Sequence, residues 1–231
     1  MIPYVPQPVW YLGPLTIHAF GVTSAAALVV GYWLTLRRAH ALGIDGRFAA
    51  VLFAAIAVTG LISGFAVGYV TNGGISSAGL AGGSCLAACV LLAKSPDRWR
   101  YSDVFAYAFP FSAAIARFGC FLAHDHIGAR TNSWLGVQFP GGTRFDLGLL
   151  HFLATVGAAI AILLLSRRVT MPGLLFAVMA TLAGISRLVV LQAPDALGLA
   201  LTLGGLALAA QRWRIGKIGS KNESDLPYPL E

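Results

Sequence analysis

Two arginines in apolar surroundings are the residues of this chain best suited to phosphate chemistry. Arg117 and Arg187 each lie within a long hydrophobic run. A guanidinium group inside a membrane-spanning helix costs about 2.5–3.5 kcal/mol, so it normally faces a polar cavity or a partner. A pair of such groups suits a lipid phosphate, which arginine binds bidentately. Structural ion pairs with Asp125, Asp146 or Asp195 are the open alternative.

The triplet His124-Asp125-His126 follows the first of these runs. Its imidazoles could provide general acid–base catalysis near neutral pH, with Asp125 orienting a histidine or acting as the base. Zinc binding together with His18 or His151 is a second possibility, because Zn²⁺ accepts nitrogen and oxygen ligands. The spacing argues against zinc, since residues two apart point to opposite faces of a strand and lie about 200° apart on a helix. A solvated loop without chemistry is the third possibility.

Two histidines elsewhere join the catalytic candidates. His18 is expected in the first turn of the first apolar run, and His151 follows Asp146 by about one helical turn. Gly128 and the run Pro140-Gly141-Gly142 shape the loop expected at 124–146, where glycine permits tight turns close to a ligand.

The composition indicates a membrane protein. The chain is 57% hydrophobic and 11% charged, whereas soluble domains contain about 25% charged residues. Several runs reach the roughly 20 apolar residues that a helix needs to cross a bilayer. We therefore predict an all-α, polytopic membrane protein with about seven transmembrane helices.

The predicted domain organisation has three parts. Residues 1–14 form a proline-rich, aromatic arm at the membrane interface, residues 15–211 form the seven-helix transmembrane domain with an outer loop at 124–146, and residues 212–231 form a disordered cytoplasmic tail. The first span is interpreted as retained, because it has no basic leader and ends in Arg37-Arg38. Gly60, Gly64 and Gly68 have the spacing of a helix-packing face.

Charge placement predicts the orientation. Twelve of the sixteen Lys and Arg residues fall in alternate connections and the tail. By the positive-inside rule these segments are cytoplasmic, which puts the N-terminus outside and the C-terminus inside. The net charge of +7 is explained by this asymmetry, so no nucleic-acid partner is expected. The remaining basic residues are Arg117, Arg130, Arg144 and Arg187, and they collect with most of the histidines on the outer side.

Three segments of the chain resemble the prolipoprotein diacylglyceryl transferase family, which consists of integral membrane enzymes of bacteria. They are LGPLTIHAFGVTSAAALVVGYWLTLRRA, ARFGCFLAHDHIGARTNSWLGVQFP and GISRLVVLQAPDAL. The second is similar to the family signature Gly-Arg-x-Gly-Asn-Phe-x-Asn-Gly-Glu-x-x-Gly, which aligns with residues 116–128.

The resemblance implies an activity and roles for several residues. The family moves the diacylglyceryl group of phosphatidylglycerol to the thiol of a lipobox cysteine in a secreted lipoprotein precursor, and releases glycerol phosphate. Its essential arginines fall on Arg117 and Arg187, its acidic residue falls on Asp125, and its glycines fall on Gly119 and Gly128. Arg144 is added as a substrate-binding candidate from the outer loop. The resemblance further implies a multi-pass protein of the bacterial inner membrane that uses no cofactor or metal.

The chain departs from the family at positions that bear on catalysis. Cys120 and Ala123 replace the two signature asparagines, and His124 replaces a glycine. The essential histidine of the family's Ser-Phe-His-Gly-Gly motif has no counterpart in residues 73–82. His124, His126 or His151 could supply the missing base. A transferase with a different acceptor and a non-catalytic lipid-binding or transport homologue are the alternatives.

Overall fold

The computed structural model describes residues 1–71, 74–191 and 196–224, and this part of the chain is mostly helical. Its seven helices are α1 Ala19–Ala41, α2 Gly46–Thr71, α3 Ser77–Leu92, α4 Arg98–Ala123, α5 Leu147–Leu165, α6 Leu174–Leu191 and α7 Ala196–Ser224. The turn predicted at 192–195, which contains Asp195, lies outside the described residues.

Four of these helices are long and apolar enough to cross a membrane: α1, α2, α4 and α5. Shorter apolar helices cover Ser77–Leu92 and Leu174–Val190. The predicted class, a helical polytopic membrane protein, is confirmed. The orientation and the crossing of the bilayer by all seven helices stay predictions.

The first helix begins four residues later than the sequence indicates. Strand β2, Val9–Leu12, pairs antiparallel with β3, Leu15–His18. Gly13 supplies the turn with a φ of 59°, a backbone conformation that glycine adopts without steric cost. His18 therefore ends a strand, and the prediction that it stands in the first turn of a helix is wrong.

The segment expected as an outer loop at 124–146 contains three strands. They are β4 Ile127–Arg130, β5 Val137–Phe139 and β6 Gly142–Asp146, and the N-terminal strand β1, Ile2–Pro3, joins them in the order β1-β5-β6-β4. β1 runs parallel to β5, while β6 is antiparallel to both of its neighbours. The sheet fixes the N-terminal arm to the loop, because the amide of Ile2 also donates to Gly136 O at 2.9 Å.

The tail expected to be disordered from residue 212 is helical as far as Ser224. The helix can continue because no proline interrupts the chain before Pro227, and proline is the strongest helix breaker. Residues 225–231 lie outside the described residues.

The chain divides into two compact units, Met1–Gly31 with Ala106–Glu231 and Tyr32–Phe105. In the second unit α2 packs against α3 through small residues. A side chain at Gly64 would meet Leu80 at 2.7 Å, and the hydroxyl of Ser63 in α2 donates to Gly79 O in α3. The predicted packing role of the glycine face of α2 is confirmed at this contact.

The first unit contains the strands and the helices that carry the candidate site. Ala158 and Ile162 of α5 pack against Leu175 and Met179 of α6 in a buried cluster that Ala106 completes. Helices α6 and α7 approach closely at Gly205, where a side chain would meet Thr181 N at 2.7 Å. This packing holds α5, α6 and α7 together within the unit.

Candidate active site

The two arginines predicted to bind phosphate act on a common neighbour, His151. Arg117 lies near the end of α4, His151 in the first two turns of α5, and Arg187 near the end of α6. The charges of both guanidinium groups act on His151, as does that of His126. Three helices therefore bring Arg117 and Arg187, from distant parts of the sequence, within electrostatic range of His151.

Neither nearby aspartate forms a salt bridge with Arg117. Asp125 lies 2.6 Å from His126 Nδ1, and Asp146 lies 2.6 Å from His124 Nδ1. Among the side chains of residues 1–71, 74–190 and 196–215, no salt bridge joins Arg117 to a carboxylate. Among the described residues, Arg117 therefore does not form the structural ion pair with Asp125 or Asp146 that was the alternative to phosphate binding.

Arg117 instead lies close to Cys120, one turn further along α4. The charge of the guanidinium acts on the Cys120 thiol, and the charge of Asp125 also acts on it. Cys120 is buried. A small, weakly polar group thus adjoins the arginine at the position where the family signature has asparagine.

Asp125 and His126 form a solvent-exposed pair immediately after α4. The Asp125 carboxylate and Nδ1 of His126 are 2.6 Å apart, and the two side chains are 39% and 59% exposed. A carboxylate that accepts the Nδ1 proton leaves Nε2 as the basic nitrogen of the ring. This pair therefore has the arrangement of a general base whose partner orients it.

Asp125 also borders an open cavity of about 490 Å³, which we call the hairpin cavity. Its wall combines the β2–β3 hairpin, the start of α1 and the end of α4. The lining residues are Gln7, Thr16, Ile17, His18, Phe20, Gly21, Ala123 and Asp125. His18 and Asp125, two of the catalytic candidates, therefore share one cavity.

His124 differs from the other histidines because its ring is buried and held at both nitrogens. Nδ1 lies 2.6 Å from Asp146 Oδ2, and Nε2 lies 3.0 Å from Val5 O. The rings of Tyr4, Phe121 and Phe139 pack around the imidazole at centroid distances of 4.9, 5.5 and 5.3 Å. Both nitrogens are engaged by the protein itself.

Asp146 is the residue whose importance the sequence did not reveal. Its side chain is fully buried, and its Oδ1 accepts a hydrogen bond from Leu149 N at 3.0 Å as the N-cap of α5. An aspartate directly before an apolar run is a sequence signal for such a cap. The partner, His124, is 22 positions away in the chain and could not be inferred from spacing.

A second cavity of about 540 Å³ lies beside the sheet, and we call it the loop cavity. Its basic residue is Arg144 of β6, whose guanidinium donates to Gly128 O at 3.2 Å. The lining residues are Tyr4, Ala123, His124, Ile127, Phe139, Pro140, Gly141 and Arg144. Arg144 is therefore at a different cavity from Asp125 and His18, although Ala123 borders both.

The two predicted glycines are sites of close packing. The Thr23 side chain of α1 lies against Gly119, where an added Cβ would meet Thr23 Cβ at 3.1 Å. At Gly128 an added Cβ would meet Leu147 Cδ2 at 2.9 Å and Phe145 O at 3.0 Å. Gly148 was not among the predicted residues, yet a Cβ there would lie 2.7 Å from Phe121 N. These positions allow the chain segments around the site to approach each other.

Among the described residues, no group of three or more His, Cys, Asp or Glu side chains is arranged to hold a metal ion. His124 and His126 engage different aspartates.

Comparison with known proteins gives one family. The family model for prolipoprotein diacylglyceryl transferase matches residues 7–209. A phosphatidylglycerol–prolipoprotein diacylglyceryl transferase of Symbiobacterium thermophilum is 27% identical over 151 residues, which cover 58% of this chain and 56% of that protein. The enzyme of the same name from Corynebacterium glutamicum is 31% identical over 153 residues, covering 56% of this chain and 48% of that protein.

A third relative matches more strongly over a shorter segment. The Corynebacterium efficiens protein of the same name is 46% identical over 65 residues, which are 27% of this chain and 20% of that protein. The matched regions thus span about half, or less, of the length of these relatives. Because the family model extends over nearly the whole described chain, from the hairpin to α7, the chain belongs to the prolipoprotein diacylglyceryl transferase family.

Proposed function

We propose that this protein transfers the diacylglyceryl group of phosphatidylglycerol to the cysteine thiol of a secreted lipoprotein precursor. The observation that carries the proposal is the convergence of Arg117 and Arg187, from two apolar helices, on His151. A concentration of positive charge at a membrane-helix end is favourable when an anion occupies it. The phosphate of a phospholipid is the anion that the bilayer itself supplies.

The arginines would act on the leaving group. In the reaction the C–O bond between the transferred glyceryl carbon and the phosphate oxygen breaks, and a C–S bond to the acceptor forms. The electron pair of the broken bond stays with glycerol phosphate, so negative charge grows on the phosphate. Preorganised guanidinium groups stabilise such charge, which is often the largest single contribution to catalysis.

The Asp125–His126 pair would take the proton of the acceptor thiol. A free thiol has a pKa of about 8.5, so only modest help is needed to form the thiolate. Nε2 of His126 is the basic nitrogen when Asp125 orients the ring through Nδ1. His18 and Asp125 line the hairpin cavity, which is open enough to admit the acceptor cysteine from outside the bilayer.

His151, Arg144 and the two glycines complete the site. His151 would join the arginines at the phosphate, while Arg144 in the loop cavity would contact the released glycerol phosphate or the lipid headgroup. Gly119 and Gly128 would keep the surrounding segments close. In the cell we place the protein in the bacterial inner membrane, with the N-terminus and this site outside and the C-terminus in the cytoplasm.

A non-catalytic lipid-binding homologue is the second candidate. The replacement of both signature asparagines by Cys120 and Ala123, and the absence of the family's histidine in residues 73–82, favour it. Such a protein would keep the phosphate-binding arginines without the groups that activate an acceptor. A transferase with a different acceptor would keep both the arginines and the Asp125–His126 pair.

One assay separates these functions. Purified protein in vesicles is incubated with headgroup-labelled phosphatidylglycerol and a peptide that contains a lipobox cysteine. Release of labelled glycerol phosphate with lipidation of the peptide supports the proposed reaction. Lipid binding without release supports the binding protein, and release with thiols other than the lipobox peptide supports a different acceptor.

A further inference from the structure

The His124–Asp146 pair has a proton requirement that follows from its hydrogen bonds. Val5 O is a carbonyl oxygen and can only accept, so Nε2 of His124 carries a hydrogen and donates to it at 3.0 Å. Nδ1 then needs a second proton between itself and Asp146 Oδ2 at 2.6 Å. The pair is either imidazolium with carboxylate or imidazole with carboxylic acid. Both forms are neutral as a pair and contain one proton more than a neutral ring with a carboxylate.

Because the pair is buried, loss of the shared proton would be energetically costly. The His124 side chain is 8% exposed and that of Asp146 is 0% exposed. Loss of the shared proton would leave one negative charge in an enclosed site, which is costly. The ring could then donate to the carboxylate or to Val5 O but not to both. One of the two contacts would be lost.

These two contacts join three segments of the site. Val5 lies in the N-terminal arm, His124 directly follows α4, and Asp146 caps α5 by accepting from Leu149 N at 3.0 Å. Asp125 and His126 are the next residues after His124, and His151 is in the first two turns of the helix that Asp146 caps. The amide of Leu147 also donates to His126 O at 2.9 Å. The groups proposed to act on substrate are thus attached to both sides of the pair.

His124 holds this position against a local cost. Its φ of 51° is the only positive value among non-glycine residues in the described part of the chain. A side chain in this left-handed region is sterically disfavoured for L-residues, and glycine avoids that cost. The ring contacts therefore hold an unfavourable backbone that aims the following Asp125 and His126.

We infer that His124 and Asp146 form a proton-dependent positioning pair, which fixes the N-terminal arm and the start of α5 around the Asp125–His126 base. The inference rests on the proposed function for the identity of the site that is positioned. His124 itself does not receive the thiol proton. Its two ring nitrogens bind the protein, and its neighbour His126 performs the chemistry.

Asp146→Asn is the decisive variant. The asparagine Nδ2 can donate to the lone pair of neutral His124 Nδ1, while its Oδ1 accepts from Leu149 N and His124 Nε2 still donates to Val5 O. All hydrogen bonds are kept without the extra proton. The variant should retain turnover within about threefold near neutral pH, whereas Asp146→Ala should lose about 10²-fold, in the range of misplaced catalytic groups.

The pH dependence distinguishes positioning from mere stability. The parent pair carries a proton that alkaline pH can remove, whereas Asp146→Asn has no such proton, so turnover of the parent protein should fall on the alkaline side. Asp146→Asn should lack that fall. Among the described residues, the titratable or charged groups near the pair include Tyr4, Cys120, Asp125, His126 and Arg144. They are present in both proteins, so a difference between the two profiles belongs to His124 and Asp146.

Hydrogen–deuterium exchange tests the pair without relying on turnover. The amide exchange rates of residues 1–6 are measured in detergent for the full-length parent protein and for Asp146→Asn, at about pH 7 and at about pH 9.5. The two proteins are compared with each other at each pH. The arm of the parent should exchange about two- to tenfold faster than that of the variant at high pH, and equally at neutral pH, as expected for one lost hydrogen bond. Equal exchange at both pH values would overturn the inference, whether or not the protein is a transferase. Absence of transfer by the parent protein, with this exchange difference present, would overturn the proposed function alone.

His124→Gly and His124→Ala provide the matched controls for the backbone. Both remove the ring contacts, and only alanine retains the cost of the positive φ. Both should release the arm at every pH. Retention of arm protection by either variant would contradict the role assigned to the ring.

Discussion

Replacing Arg117 by lysine or alanine separates two contributions of this side chain to the proposed reaction. Lysine keeps a positive charge near His151 and Cys120 but loses the planar fork that binds two phosphate oxygens together. Alanine removes both. Because no salt bridge to a carboxylate involves Arg117 in the described residues, the change should strand no buried acid.

The magnitudes follow from the bonds lost. A hydrogen bond to a charged group is worth about 1.5–3 kcal/mol, and each 1.36 kcal/mol corresponds to a tenfold change in rate. Loss of one arm of the fork in Arg117→Lys should therefore lower kcat about 10- to 100-fold. Arg117→Ala removes both bonds and the charge, so kcat should fall at least about 10²–10³-fold, as for the loss of a transition-state charge donor.

The assay is release of labelled glycerol phosphate from vesicles, with lipid binding measured in parallel. Arg130→Ala is the matched control, because Arg130 is an exposed arginine of β4 and is not one of the two arginines proposed to bind phosphate. It should retain full activity. Near-parent turnover by Arg117→Ala, in protein that inserts and melts normally, would refute the proposal that Arg117 binds the phosphate. Equal loss in Arg130→Ala would show that general positive charge is sufficient.

The other predictions concern the base and the packing of the site. Asp125→Asn should lower kcat about tenfold and His126→Gln about 10²–10⁴-fold, the usual contribution of a general base; unchanged pH–rate profiles in both would exclude the pair as the base. Gly148→Ala should destabilise the protein by about 1–3 kcal/mol through overpacking, because the new Cβ would lie 2.7 Å from Phe121 N. Gly157→Ala in the same helix meets nothing within 4 Å and should be neutral or stabilising by up to about 1 kcal/mol. Thermal melting of the two variants under identical detergent conditions checks the difference, and equal melting temperatures would contradict the packing argument.

The helical membrane fold could be predicted because it depends on local properties of the chain. Apolar runs of sufficient length leave few alternatives to helices, since backbone polar groups in lipid must be satisfied within the segment. The glycine face of α2 could be read in the same way, because small residues at four-residue spacing lie on one side of a helix. Arg117 and Arg187 could be selected as a pair because charge within an apolar run is costly wherever it occurs.

The start of the first helix could not be predicted from apolarity. Leu15 and Ile17 extend the apolar run toward the N-terminus, yet Leu15–His18 becomes a strand because Gly13 turns the chain back onto Val9–Leu12. The strands within 124–146 could not be predicted for a related reason. Their pairing depends on register between short segments, and on an N-terminal strand more than 130 residues away in sequence.

The roles of His124, His126 and His151 could not be told apart from the sequence. Residue types alone made His124, His126 and His151 equal candidates for the base, because each imidazole has the same intrinsic chemistry. Burial, hydrogen-bond partners and nearby charges separate them, since His124 is enclosed between Asp146 and Val5, His126 pairs with exposed Asp125, and the charges of two arginines act on His151. The membrane fold and the costly cationic pair follow from composition and run length, which can be read along the chain. Which protons are shared and which nitrogens stay available depends on contacts between residues far apart in the chain, so these roles required the three-dimensional structure.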